Sequence, residues 1–223
     1  TSATSTPTIT GTATLGAGEF LSVEVDGIVY FNSGSQLNLA GNVWTLDIIN
    51  DIDPDGTYEV IATATDQAGN VSVDTTVGEL IVDTIEPSPP SVTPLNTNDT
   101  SPSITGTAFL EPGEFLEVTV NGTTYSQLSG DISFSGLDWT LVIPEANALP
   151  EGRYDVAAVS SDGAGNTTGD GTVDELGIDL TPPPIPTVDP LTTADPTPAI
   201  TGNASLGTGE TLQITVNGRS YSV

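Results

Sequence analysis

The chain has 223 residues, 30 of them acidic and only two basic, Arg153 and Arg219, which sets its formal charge at −28. With no Lys, His, Cys or Met, it cannot run histidine-based nucleophilic catalysis or hold disulfides, zinc ribbons or iron–sulfur clusters, and nucleic acid and anionic lipid would be repelled. Charge of this size with few aromatics often means disorder, but 36% hydrophobic residues leave material for a core, provided something neutralises the carboxylates. A divalent cation is the first candidate.

Taken from the N-terminus, the first recognisable element is Ser5-Thr6-Pro7-Thr8-Ile9-Thr10-Gly11-Thr12-Ala13. It returns at Thr100–Ala108 and again at Pro196–Ala204. Other positions keep step: Glu19, Glu114 and Glu210; Gly27, Gly122 and Gly218; Tyr30, Tyr125 and Tyr221; Trp44 and Trp139; Asp66 and Asp162; Asp83 and Asp179. The step is 95 residues from Gly11 to Gly106 and 96 from Gly106 to Gly202. That is the length of an ordinary domain, well above solenoid periods. Residues 1–83 therefore read as a repeat lacking its first strand, 84–179 as a complete repeat, and 180–223 as the N-terminal part of a third. A chain divided in this way reads as a piece of a longer protein. It carries no signal peptide and no apolar run of membrane-spanning length.

Within the complete repeat, strands are expected first at Ser103–Leu110 and then at Leu116–Val120, where apolar and polar residues alternate with period two. Asn121-Gly122, the strongest short hairpin signal, turns this strand back into Thr123–Leu128. Trp139–Ile143, Tyr154–Ser161 and Val173–Ile178 follow. Glycine and proline interrupt every candidate helix, and no long stripe of helical period occurs. The expected fold is all-β: tandem immunoglobulin-like β-sandwich domains joined by short linkers, with Trp44 and Trp139 in the cores.

Strands that alternate in direction carry the acidic loops to the two poles of each sandwich. At the first junction this brings together Asp26, Asp51, Asp53 and Asp55 of repeat one, Asp83 and Glu86 of the linker, and Glu111, Glu114, Asp162 and Asn166 of repeat two. Left unpaired, so many like charges push the domains apart. Calcium accepts roughly six to eight oxygen ligands in irregular geometry and suits such loops better than magnesium does. Asp66, Asn70, Asp99, Asp179 and Glu210 are candidate ligands at equivalent positions elsewhere. Asp51-Ile52-Asp53-Pro54-Asp55-Gly56 opens like an EF-hand loop, yet Ala62 stands where that loop needs its glutamate, so this reading is rejected.

The segments Ala64-Thr65-Asp66-Gln67-Ala68-Gly69-Asn70 and Ser160-Ser161-Asp162-Gly163-Ala164-Gly165-Asn166 resemble the T-D-x-A-G-N signature of bacterial immunoglobulin-like repeats. The junctions Val82-Asp83-Thr84-Ile85-Glu86-Pro87 and Ile178-Asp179-Leu180-Thr181-Pro182 are similar to the V-D-T-T-A-P of that family. Such repeats build the extender regions of giant bacterial surface adhesins, including biofilm-associated and RTX-type proteins. The resemblance implies an extracellular place on the bacterial cell surface and calcium bound at domain junctions. It also implies neighbouring repeats of the same polypeptide as partners, while the acidity argues against nucleic acid and direct membrane contact. Ser160, Leu180 and Glu86 depart from the family pattern.

The expected function is thus a structural extender module of an adhesin, a rod that calcium stiffens and that projects a distal ligand-binding region. A carbohydrate- or protein-binding sandwich module is the alternative. No enzyme is expected, because pairs of carboxylates arise by chance in so acidic a chain and nothing marks a deep pocket. Acidity as such also suits a salt-rich habitat, which predicts no stoichiometric calcium uptake. The incomplete third copy leaves two outcomes open: partial folding by itself, or exchange of its strand into the gap in repeat one of a neighbouring chain.

Overall fold

The period-two patterns become strands, and the computed structural model, which describes residues 1–222, contains no α-helix among them. Residues 1–83 form β1 (Thr8–Thr12), β2 (Phe20–Val25), β3 (Ile28–Phe31), β4 (Leu37–Ala40), β5 (Val43–Asp47), β6 (Gly56–Tyr58), β7 (Val60–Thr65), β8 (Val71–Val73) and β9 (Leu80–Val82). Residues 84–179 form β10 (Ser91–Val92), β11 (Leu95–Thr97), β12 (Ser103–Thr107), β13 (Phe115–Val120), β14 (Thr123–Ser126) and β15 (Ile132–Ser135). The same unit ends with β16 (Asp138–Val142), β17 (Gly152–Tyr154), β18 (Val156–Ser161), β19 (Thr167–Gly169) and β20 (Leu176–Ile178). Residues 180–222 add β21 (Thr187–Val188), β22 (Gly202–Asn203), β23 (Gln213–Val216) and β24 (Arg219–Ser222).

Repeat two is an immunoglobulin-type sandwich. One sheet has the order β10-β12-β16-β15 and the other β14-β13-β18-β19, while β11 runs parallel to β20 and β20 pairs with β17. Alternation along β13 sends Leu116, Val118 and Val120 inward, where they meet Ile104, Trp139, Leu141, Val156 and Leu176 in one core. Each such side chain stabilises the fold by about 1.5–3 kcal/mol through burial. Asn121 and Gly122 take φ of 50° and 76°, the left-handed pair that matches a two-residue hairpin to the strand twist. Asp26-Gly27 and Asn217-Gly218 do the same at the equivalent positions.

Repeat one has its own core around Leu21, Val23, Trp44, Leu46, Val60 and Val82, closed by sheets β1-β5-β4 and β3-β2-β7-β8 and the pair β6-β9. It has no counterpart of β10, and of β11 only a parallel bridge from Ser2 to Val82. Beyond residue 179 the third copy forms two separate two-stranded pairings, and none of its described residues is buried. Two-stranded ribbons are marginal in water.

Several expected strands differ in extent. Ser103–Leu110 stops at Thr107, and Thr123–Leu128 stops at Ser126, where a short 3-10 turn over Gln127–Ser129 begins. Tyr154–Ser161 is two strands, broken at Asp155. There the Tyr154 hydroxyl donates to the Pro150 carbonyl at 2.8 Å and pins a corner of the kind known as a tyrosine corner. Val173 is exposed, and the last strand begins only at Leu176. None of the described helical turns is long and apolar enough to cross a membrane.

Candidate functional site

The acidic loops owe their shape to hydrogen bonds within themselves. At the end of β18, Asp162 Oδ1 accepts from the backbone N–H groups of Ala164, Gly165 and Asn166 at 2.7–2.9 Å, and Oδ2 accepts from Asn166 Nδ2 at 2.7 Å. Burial raises the Asp162 pKa, but the Asn166 side chain and the three amides together outweigh it and leave the carboxyl below its usual range. Asp66 and Asn70 build a similar cage at the end of β7, where the carboxylate accepts the amides of Ala68 and Asn70 and the Asn70 side chain, and the Gly69 amide goes to the Asp66 carbonyl. In all three copies a glutamate side chain accepts the amide three residues back. Glu19 takes that of Gly16 at 2.7 Å, Glu114 that of Glu111 at 2.8 Å, and Glu210 that of Gly207 at 2.7 Å. Polar turn residues that keep step along the sequence therefore serve loop closure first.

Between repeats one and two, Asp83, Glu111, Glu114 and Asp162 line a single cavity of about 380 Å³, with Thr1, Ile85, Pro112, Gly113, Gly163 and Ala164. The junction is also bonded directly. Asn166 Nδ2 donates at 2.8 Å to the Asp83 carbonyl, and Asp83 Oδ1 accepts from the Ile85 amide at 3.2 Å. A second cavity, of about 310 Å³, lies against repeat one and is lined by Ser5, Asp51, Ile52, Asp53, Asp55 and Thr84. Here Thr84 donates its amide and hydroxyl to Asp55, at 2.8 and 3.0 Å.

The single convergence expected from the sequence is thus divided in two. Side chains on an extended linker point alternately to opposite sides, so Asp83 faces one cavity and Thr84 the other. Glu86 lines neither cavity; it accepts from the Thr168 hydroxyl at 3.5 Å. Asp26 sits in its hairpin turn, close enough for its charge to help raise the Tyr30 and Tyr58 pKa values, where burial is the larger cause. Asp99 accepts the Ser101 amide. At the second junction Asp179 accepts the Thr181 amide, and Glu151 takes the Thr181 hydroxyl at 2.9 Å.

In donor chemistry the first cavity fits a calcium ion: hard carboxylate and carbonyl oxygens, supplied by linker and loops, in a chain almost without cations. The carboxylates are not drawn together, however. Among the described residues no three of them are grouped closely enough to hold a metal as they stand.

Sequence reasoning passed over a second set of recurring acids. Glu79 and Glu175 stand at equivalent positions, and each accepts the amide of the residue that opens the neighbouring strand, Val60 at 3.2 Å and Val156 at 3.1 Å. Glu175 is buried, and its Oε1 has no partner. Burial, then the charges of Glu175 and Asp170, raise the pKa of Asp155. The recurrence of Glu in Val77-Gly78-Glu79-Leu80 and Val173-Asp174-Glu175-Leu176 was the signal available for them.

Comparison with known proteins finds one family model that matches part of the chain. Residues 2–84 match the family model of the bacterial Ig-like domain. No curated protein matches the chain. Among solved structures, the fibronectin(III)-like modules of Clostridium thermocellum CbhA are similar over 77% of this chain and 85% of theirs, at 14% identity and a TM-score of 0.46. A structure described as bearing on host cell surface retention of a 1.5-MDa bacterial ice-binding adhesin is similar over 99% of this chain and 76% of its own, at 19% identity and a TM-score of 0.38. Domains A168-A170 of titin are similar over 77% and 59%, at 12% identity and a TM-score of 0.40.

Proposed function

We propose that the chain is a length of extender from a bacterial surface adhesin, non-catalytic and extracellular, whose repeats are held in line by calcium bound at their junctions. One observation carries this reading. Four carboxylates from the linker and from two loops of repeat two line one cavity at the domain junction, in a chain with only two basic side chains. Asp83, Glu111, Glu114 and Asp162 are the residues that would hold the ion. When bound, it supplies positive charge where the domains otherwise repel each other, and by binding only the folded form it adds stability through mass action.

The chain's own groups prepare the joint. Asn166 ties the linker carbonyl to repeat two, the Asp162 cage keeps its loop closed, and Thr84 fixes the linker to Asp55 of repeat one. These bonds place the linker between the repeats but leave the carboxylates of the cavity uncompensated, so their repulsion keeps the joint loose until an ion is bound. Calorimetric titration with calcium and small-angle scattering in calcium and in chelator test the reading together. Saturable uptake, with a longer and stiffer particle in calcium, is the expected result. No uptake, or identical scattering in both conditions, refutes it.

A further inference from the structure

The sheet β3-β2-β7-β8 of repeat one and the sheet β14-β13-β18-β19 of repeat two have the same four strands in the same order, and each turns one face to its core. Their outer faces differ. In repeat one, alternation along β2 sends Leu21, Val23 and Val25 inward and Phe20, Ser22 and Glu24 outward. The register sets Phe31 opposite Ser22, Val29 and Ile61 on either side of Glu24, and Val71 opposite Thr65, whose other neighbour is Phe20. Phe20, Val29, Phe31 and Val71 are 41%, 45%, 49% and 60% exposed, and the two phenylalanine rings lie with centroids 6.5 Å apart. At the same places repeat two has Thr124 for Val29, Ser126 for Phe31, Ala157 for Ile61 and Thr167 for Val71. Its Thr119 and Thr124 hydroxyls bond to each other at 2.9 Å. Both sheets have all four strands, and a sheet face lies along the side of a sandwich instead of at the poles where repeats join. The contrast therefore belongs to the sequence of each face.

A contiguous apolar face on a chain of charge −28 marks a place where something binds. Its geometry and charge select the occupant. Glu24 stands half-buried in the middle of the face, and the first basic residue of the chain is Arg153, in repeat two. A second copy packed on this face would bury Glu24 against apolar side chains or against another Glu24, and a buried unpaired carboxylate is costly. A sugar chain stacked across both rings needs them in one plane, whereas Phe20 and Phe31 are tilted by 47°. An added strand gains nothing on a face, because its backbone groups find partners only along an edge. A helix satisfies its own backbone, and its diameter of about 10–12 Å fits the roughly 15 Å that four strands about 4.8 Å apart span. Where it meets Glu24 it must carry positive charge.

We propose that the outer face of β3-β2-β7-β8 in repeat one is a docking surface for an amphipathic helix of another polypeptide, whose apolar stripe packs on Phe20, Val29, Phe31 and Val71 and carries a Lys or Arg that pairs with Glu24. Repeat one is then a binding module, and repeat two, with its hydroxyl-covered face, is a spacer. Apolar anchors at helical spacing supply the affinity. The ion pair with Glu24 fixes the register of the helix on the sheet, and the acidic surroundings speed its arrival.

The test uses the intact chain in about 0.15 M salt, which screens diffuse attraction between an acidic protein and a basic peptide, and with chelator throughout, which keeps it independent of the calcium reading. The probe is a synthetic helix-forming peptide of about 18 residues, with Leu at i, i+3, i+4 and i+7 spacing, one Lys within that stripe, and Ala and Gln elsewhere. Calorimetric titration should give saturable binding at one site per chain. In a ¹⁵N-labelled sample the amide signals of β2, β3 and β7 should shift while those of β13, β14 and β18 stay in place. Phe31→Ser combined with Val71→Thr gives repeat one the residues that repeat two carries at the same places. It should weaken binding by about tenfold or more and leave the circular dichroism spectrum unchanged. A peptide with Glu in place of its Lys should bind the natural chain about tenfold more weakly, and Glu24→Gln should narrow that difference. No binding, equal binding of a scrambled peptide, or equal affinity of the double variant overturns the proposal. So does a chain whose mass rises with concentration by itself and no longer does so in the double variant, which makes a second copy the occupant. A glycan-array signal lost in that variant overturns it too, in favour of a sugar.

Discussion

Gly106 and Gly11 occupy equivalent places in the two repeats, and replacing each by alanine should have very different costs. A Cβ at Gly106 falls within the Ser91 carbonyl oxygen as well as against the Trp139 ring, whereas at Gly11 its three nearest neighbours are all atoms of the Trp44 ring. Trp44 belongs to the core of repeat one but also lines an open cleft of about 540 Å³ along β1, so its ring can shift at the usual cost of overpacking, about 1–3 kcal/mol. At Gly106 a shift of the ring brings no relief, because the Ser91 carbonyl stands against the same position and Ser91 is held by the sheet. Relief there means expelling β10. That re-exposes Val92, at about 1.5–3 kcal/mol, and breaks the Trp139–Ser91 bond and the bonds that join Ser91 and Thr93 to Thr107 and Thr105, at about 1 kcal/mol each. The loss comes to about 5 kcal/mol, a large share of the stability of a single domain. Urea unfolding followed by Trp139 emission in a Trp44→Phe background reads repeat two, and the reverse background reads repeat one. Equal midpoint shifts for Gly106→Ala and Gly11→Ala would refute the claim that only repeat two has a strand to lose.

Trp139→Phe should destabilise its repeat by about 2 kcal/mol more than Trp44→Phe, since the first breaks a bond to Ser91 and the second removes an unsatisfied N–H; calorimetric unfolding of both variants checks the difference. Asn166→Ala should cost repeat two about 2 kcal/mol and speed protease cleavage at Asp83–Glu86, while Asn70→Ala, with no bond across a junction, leaves that cleavage rate unchanged. Hydrogen bonds, chiefly from the side chains of Asn70 and Thr76, hold the carboxyls of Asp66 and Asp74 below the usual range. Their contribution is complete above the unfolded value and is lost as pH falls through the lower folded values. Asp155, raised by burial, acts with the opposite sign as pH climbs past its unfolded value. Melting temperature in about 1 M salt, where general repulsion is screened, should therefore drop as pH falls from 5 to 3, and a flat profile would contradict the cage assignments.

Sequence alone determined the repeat, its length, the β class and the two buried tryptophans, because strand alternation and Asn-Gly or Asp-Gly turns are local properties written in consecutive residues. It likewise pointed to the loops of Glu111–Glu114 and Asp162–Asn166 as neighbours of Asp83, since strand direction alone decides the pole at which a loop lies. The same spacing could not say what each carboxylate does when it arrives. Asp162 and Asn166 turned out to cage their own loop, Glu86 turned to Thr168, and Asp83 and Thr84 parted to opposite sides of the linker. Those outcomes depend on side-chain direction and on competition among nearby donors, which only packed coordinates resolve. Trp44 and Trp139 are the clearest case. Their sequence surroundings match, yet one indole is bonded and the other is not, because the partner carbonyl sits 48 residues from Trp139 in β10, a strand with no counterpart among residues 1–83.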